Sequence, residues 1–328
     1  MYTEFYHLST RPFQLTPDAR FFFESTVHKQ AMAYLIYGLH HAEGFIVITG
    51  EVGAGKTILV DNLLSTIDAS TFVTAKIVTT QIAGDDLLHM VAAGFGIPEE
   101  GLAKGSLLHR ISDFILARQR SGKRSLLIVD EAQNLSFEAL EELRMLSNIV
   151  GDKTMALQSF LLGQPQFRAI LGRPELEQLR QRVTAAYHLG PLNEAETRAY
   201  VEHRLRRADW QGDPELTEDF FPELHRQSGG VPRRINNLCS RLLLYGFLEG
   251  LHRLDGGAVA QVASDLEREI ALVAVPGATG SPAAVPNSAA AAQIAGRLDL
   301  LEKSVERQGQ VIRRVLELAA DYFQSERR

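Results

Sequence analysis

A chain of 328 residues has room for two domains and a sizeable core, and 45% hydrophobic with 23% charged residues is the balance of a globular rather than a disordered or membrane-embedded protein. A net charge of −6 argues against nucleic-acid binding through a broad basic surface, while leaving a local basic patch open. The single cysteine, Cys239, excludes an internal disulfide. With no long apolar run and no basic-then-apolar leader, the expectation is a cytoplasmic protein without a transmembrane segment, reaching a membrane only through a partner.

Residues 1–43 read as an approach segment. Pro12 and Pro17 mark turns, and the spacing of Ala31, Leu35 and Leu39 predicts a helix from Ser25 to His40. Phe21, Phe22, Phe23 and His28 lie just ahead of the glycine loop described next. Two readings stand for them: a wall for a nucleotide base, or packing of the helix on the core.

An α/β core is predicted over 44–190. Phe45–Thr49 is a short apolar, β-branched strand, and Gly50-Glu51-Val52-Gly53-Ala54-Gly55-Lys56-Thr57 then fits G-x-x-x-x-G-K-[ST] without a mismatch. Its glycines let backbone N–H groups wrap a phosphate closely, and the helix that opens at Thr57-Ile58 adds unpaired donors and a positive dipole end. Lys56 supplies a point charge to the β/γ-phosphates and Thr57 a hydroxyl to Mg²⁺. The ligand this implies is ATP with Mg²⁺.

Strand Thr71–Val78 and helices Asp85–Phe95 and Leu107–Arg120 follow. Ser125–Val129 then runs straight into Asp130 and Glu131. A continuous apolar strand suits the centre of a parallel sheet, whose carboxyl end is where ligands bind. There Asp130 can hold Mg²⁺ through water, and Glu131 can polarise an attacking water. Helix Phe137–Asn148 leads to strand Leu157–Gly163, and Gln164 at its tip is either a γ-phosphate sensor or an ordinary turn residue before Pro165. Arg180 and Arg182 precede a fifth strand, Ala185–Leu189. Arg182 is favoured as an arginine finger reaching a neighbouring subunit; the alternative is that both are solvated.

From Pro191 to Ile270 the pattern turns all-helical, a lid. Asn193 and Glu196 form a capping box, and Arg233 and Arg234 open a helix after Gly229-Gly230-Val231-Pro232. Basic residues are electrostatically misplaced at a helix start, which favours a phosphate partner for one of them. Residues 271–292 are an uncharged Ala/Pro/Gly/Ser linker. Over 293–326, Ile294, Leu298, Leu301, Val305, Gln308, Ile312, Val315, Ala319 and Tyr322 form a heptad seam, implying a coiled-coil partner or a helix folded back on the body.

With these residues in view, the chain resembles the AAA+ P-loop ATPases. More narrowly it is similar to the general secretion pathway protein A (ExeA-like) group, and within it to secretion ATPases of XrtA/PEP-CTERM (exosortase) and exopolysaccharide loci. The resemblance spans roughly residues 2–270 and rests on GFIVITGEVGAGKT, LLIVDEAQNL, FLLGQPQFR, LEQLRQRV and GGVPRRINNLCSRLLL. It implies the AAA+ fold, a central parallel five-stranded sheet with a small helical lid. It also implies Walker A at Gly50–Thr57, Walker B at Asp130 and Glu131, sensor 1 at Gln164, the finger in LRQRV and sensor 2 in GVPRR. Ile58 stands where such loops often carry threonine, and is expected to point into helix packing. A peptidoglycan-binding region, carried by some secretion-pathway members, is not expected. The function implied is ATP hydrolysis by a homo-oligomeric ring serving protein partners of an export or polysaccharide system. A DNA-associated transposition-regulator ATPase and a non-catalytic nucleotide-switch scaffold are the alternatives.

Overall fold

The computed structural model describes residues 1–16, 18–41, 44–79, 84–151 and 155–273. The heptad seam and nearly all of the linker lie outside the described residues.

Five parallel strands form the central sheet: β1 (Phe45–Gly50), β2 (Phe72–Val78), β3 (Arg124–Asp130), β4 (Leu157–Gly163) and β5 (Val183–Leu189), in the order β2-β3-β4-β1-β5. Burial follows that order. Every residue of β1 and β4, and all of β3 but its first, is buried, as continuous apolar runs require at the centre of a sheet covered on both faces. The edge strands β2 and β5 alternate instead.

The two-residue period of the strands divides the core into two layers. Phe45, Val47, Leu127, Val129, Leu157 and Leu161 face helices α4 (Gly84–Gly94), α5 (Lys104–Arg120) and α6 (Phe137–Leu146). Ile46, Ile48, Leu126, Ile128, Phe160 and Leu162 face α2 (Thr26–His41) and α3 (Lys56–Thr66). A four-residue α1 (Tyr2–Phe5) precedes these, and α7 (Gln166–Leu171) and α8 (Glu177–Arg180) join β4 to β5. Register pairs Thr49 with Gly163 and Val78 with Asp130, so the loop after β1 and the carboxylates after β3 emerge at one edge of the sheet.

Beyond β5 come α9 (Glu194–Arg206), α10 (Phe220–Ser228), α11 (Pro232–Glu249) and α12 (Gly256–Val273). The expectation of an all-helical lid needs one correction. Two-residue strands β6 (Glu215–Leu216) and β7 (Arg253–Leu254) pair in parallel here, too short to leave a periodic signal. α12 also runs three residues into the stretch read as linker. The N-terminal segment packs on both cores. Tyr6, Leu8 and Phe13 enter the lid core, Tyr6 Oη donates to Leu251 O at 2.9 Å, and α2 joins the sheet core. Cys239 is buried filler in the same lid core. Among the described residues, Leu248–Gly250 and 265–273 belong to a second unit, helical apart from the turn residue Gly250.

Candidate nucleotide site

The glycine loop turns with Gly53 at φ +82° and Gly55 at φ +100°, backbone that a side chain resists. Space reinforces the requirement. A Cβ on Gly53 would stand 2.1 Å from Arg233 Cβ, and one on Gly55 would stand 2.6 Å from His28 Nε2. α3 begins at Lys56, whose buried Nζ donates to Gly50 O at 2.7 Å and Glu51 O at 3.0 Å. Burial lowers the Lys56 pKa, opposed by the negative charges of Glu131, Asp130 and Glu51.

Thr57 Oγ1 donates to Asp130 Oδ2 at 2.7 Å, and Asp130 Oδ1 accepts from Glu131 N at 2.9 Å. Glu131 adopts the left-handed conformation, φ +56°, which costs a non-glycine residue and recurs at functional sites. Thr79 holds that turn. Its hydroxyl donates to Asp130 O at 2.9 Å and Glu131 O at 2.7 Å, while Asn134 Nδ2 donates to Thr79 O at 3.0 Å.

The Glu131 carboxylate is positioned by two amides. Its Oε2 accepts from Gln133 Nε2 at 2.6 Å and Gln164 Nε2 at 3.1 Å, and Gln164 N donates to Gln133 Oε1 at 2.9 Å. Burial pushes the Glu131 pKa up, but those hydrogen bonds and the Lys56 charge together outweigh it and leave it below the ordinary value. Glu131 is thus ionised at neutral pH.

A cavity of about 340 Å³ opens between the loop and the lid, lined by Val52, Gly53, Gly55, Lys56, Thr57, Ile58, Glu131 and Arg233. Phe21, Phe22, Phe23, His28, Tyr200, Arg204 and Asn236 also line it, with His28 beside Gly55. Gly50, Glu51 and Ala54 complete the loop behind this lining. Ile58 lines the cavity, against the expectation that it turns into helix packing. His28 Nδ1 is 2.7 Å from Ser25 Oγ, and burial lowers the His28 pKa, opposed by a hydrogen bond with the Ala54 backbone and by the Glu196 charge.

Arg233 N donates to Gly53 O at 3.2 Å, which seats the start of α11 on the loop; Arg234 does not line the cavity. Arg182 lies elsewhere. It precedes Val183, which pairs with Phe45 at the far end of β1 from Gly50, and its Nη1 donates to Ser147 Oγ at 3.1 Å. Arg180 Nη1 donates to Leu171 O at 3.3 Å. Neither reaches the site of its own chain. Sequence reasoning missed Thr79, Gln133, Tyr200, Arg204 and Asn236. Gln133 alone had a signal, two residues past the acidic pair on the same turn.

Among the described residues no cluster of three or more metal-ligating side chains occurs. The adjacent Thr57 hydroxyl and Asp130 carboxylate are hard oxygen donors, and they fit Mg²⁺, which takes few protein ligands and keeps waters and phosphate oxygens.

Residues 39–171 match the family model described as AAA domain. The Cdc6p structure from Pyrobaculum aerophilum superposes with a TM-score of 0.61 at 15% identity, over 81% of this chain and 74% of that one. This is the AAA+ P-loop fold. On that fold, the chain is 40% identical over 267 residues to general secretion pathway protein A of Aeromonas hydrophila, covering 81% of this chain and 48% of the relative. It is 30% identical over 134 residues to the Mu-like prophage FluMu DNA transposition protein B of Haemophilus influenzae, covering 41% and 44%. The chain therefore spans about half the length of the curated relatives it matches. Among the described residues, no helix is long and apolar enough to cross a membrane.

Proposed function

We propose that this protein is a Mg²⁺-dependent ATP hydrolase acting on protein partners of an envelope-export or polysaccharide system of the exosortase (PEP-CTERM) kind. The observation that carries the reading is convergence: Lys56, Thr57, Asp130 and Glu131 meet at one sheet edge, with Gln133 and Gln164 fixing the Glu131 carboxylate. Lys56 exchanges its two loop carbonyls for phosphate oxygens. Glu131 accepts the proton of the attacking water, and its two amide partners hold it in line. Gln164 is the γ-side sensor and Arg233 the lid residue that meets the phosphates. Phe21–Phe23, His28 and Tyr200 enclose the base. Thr57 and Asp130 would hold Mg²⁺, which would supply charge neutralisation at the phosphate oxygens.

Arg182, remote from its own site, acts on the neighbouring copy's site in a ring. The setting is cytoplasmic, with membrane contact only through partners. The test is a pair of variants. Lys56→Ala is expected to lose ATP binding, and Glu131→Gln to bind ATP without releasing phosphate; wild-type turnover by Glu131→Gln removes Glu131 as the base. Similarity to a transposition protein favours a second, DNA-linked reading, which a salt-dependent duplex gel shift near physiological ionic strength would revive.

A further inference from the structure

Two side chains of the lid reach the nucleotide cavity with donors that no described residue accepts. Arg204 on α9 and Asn236 on α11 both line it, and each is 7% exposed. Arg204 Nε donates to Pro12 O at 2.6 Å and Nη1 to Tyr200 Oη at 2.7 Å, while its guanidinium lies over the Phe21 ring at 5.0 Å. Tyr200 Oη donates in turn to Asn236 Oδ1 at 2.9 Å.

Chemistry fixes the direction of this chain. A guanidinium has no acceptor, so the Tyr200 hydroxyl accepts from Arg204 and spends its one proton on Asn236. Asn236 therefore turns its carbonyl oxygen to Tyr200 and keeps both N–H groups of Nδ2. Among the described residues, neither Arg204 Nη2 nor Asn236 Nδ2 has a hydrogen-bond partner, and neither atom is sealed from solvent. What these two side chains, each more than nine-tenths buried, offer the cavity is donors alone.

Arg204 also lacks a counter-ion. The groups that feel its charge are Tyr200, His203 and Cys239, and burial keeps all three in their neutral forms. The carboxylates lining the same cavity are engaged elsewhere. Asp18 pairs with Arg20 at 2.7 Å, and Glu131 lies in the field of Lys56. A buried cation among neutral partners costs free energy that an acceptor in the cavity would offset.

Position along α11 says which part of a nucleotide is involved. The helix begins where Arg233 N donates to Gly53 O. At the helical rise, Asn236 stands roughly 4–5 Å further along the axis than Arg233, and Arg204 is two hydrogen bonds removed again. The phosphates fall to the glycine loop, Lys56 and Thr57, which leaves this donor pair, beside the Phe21 and Tyr200 rings, to the nucleoside.

Resting on the ATP reading above, we propose that Arg204 Nη2 and Asn236 Nδ2 hold the nucleoside half of the nucleotide by donating to acceptor atoms of its base or ribose, and so determine which nucleoside the site takes. The pair presents no acceptor, so it rewards a nucleoside edge of ring nitrogens or hydroxyl oxygens and disfavours one that carries an amino group.

The experiment uses full-length protein and competition against a fluorescent, non-hydrolysable ATP analogue. The competitors are ATP, deaza-ATP analogues that each lack one ring nitrogen, and deoxy-ATP analogues that each lack one ribose hydroxyl. Wild type is expected to bind at least one of these analogues about fivefold or more weaker than ATP, the cost of one charge-assisted hydrogen bond. In Arg204→Lys and Asn236→Ala, ATP itself should bind about fivefold or more weaker, and the penalty for that analogue should shrink to within about twofold. A deaza analogue showing this coupling assigns the base as the acceptor, and a deoxy analogue assigns the ribose. Thermal melts check that both variants fold, and Asn236→Ala keeps the test available if Arg204→Lys does not. A merely structural role, tying α9 to Pro12, would weaken every competitor by the same factor and leave the penalties intact. That result, or wild-type affinity in both variants, or no penalty for any analogue in wild type, overturns the proposal and leaves the ATP reading standing. Failure of wild type to bind ATP removes both.

Discussion

Replacing Thr79 by valine asks whether the strained Glu131 turn is actively held in place. Thr79 is 1% exposed, and its hydroxyl is shared between Asp130 O at 2.9 Å and Glu131 O at 2.7 Å. Valine keeps the shape and deletes the donor. Both carbonyls retain a second partner, because Thr79 N donates to Asp130 O at 3.1 Å and Asn134 N to Glu131 O at 2.9 Å. No buried acceptor is orphaned, so the direct loss is one hydrogen bond, about 0.5–1.5 kcal/mol. Left-handed backbone at Glu131 costs roughly 1–3 kcal/mol. The two quantities are of the same order, so losing the first lets the turn relax and the carboxylate drift. A stability loss of about 1 kcal/mol lowers Tm by roughly 2–4 °C in a domain of this size class. The same energy withdrawn from positioning lowers kcat about fivefold, and an ångström of displacement lowers it about a hundredfold. Affinity for an ATP analogue, which depends on Lys56 and Thr57, should not change. Steady-state phosphate release, analogue binding and thermal melts on the same preparation decide the matter. A lower Tm with an unchanged kcat would refute the reasoning and make Thr79 merely structural.

Gly55→Ala places a Cβ at φ +100° and against His28 Nε2, so affinity for an ATP analogue, read by fluorescence titration, should fall at least about tenfold, or 1.4 kcal/mol. Arg182→Ala should lose about 10³-fold or more in turnover if it serves a neighbour. Mixing it with Lys56→Ala, which keeps the arginine but not the site, should restore hydrolysis, and a mixture as inactive as its components rejects the trans role. The folded state depresses the His28 pKa, so the associated stability is complete above the unfolded value near 6.5 and is lost as pH falls through the folded one. His28→Gln should therefore lose less Tm than wild type between pH 7.5 and 5, and parallel losses would show that His28 is not the titrating group.

The phosphate loop, the acidic pair and the central strands were legible in the chain because each is a local pattern. Gly53 and Gly55 announce backbone that other residues resist, and the unbroken apolar run into Asp130 announces a central strand ending at the sheet's mouth. Gln164 was legible for the same reason, as a polar residue at a strand tip. What the sequence by itself could not determine is which distant residues share the cavity. Phe21–Phe23 and His28 could be read either as a base wall or as core packing, and the fold has them lining the cavity while Phe22 and Phe23 also pack on the two cores; Tyr200, Arg204 and Asn236 carried no signal because helical periodicity marks which face is buried, not what it is buried against. Thr79 was silent too, since its hydrogen bonds are to carbonyls fifty residues away. The separation of Arg182 from its own site follows from strand register. Local propensity is written in adjacent residues, while proximity between residues far apart in sequence is decided only when the sheet closes and its two faces are covered.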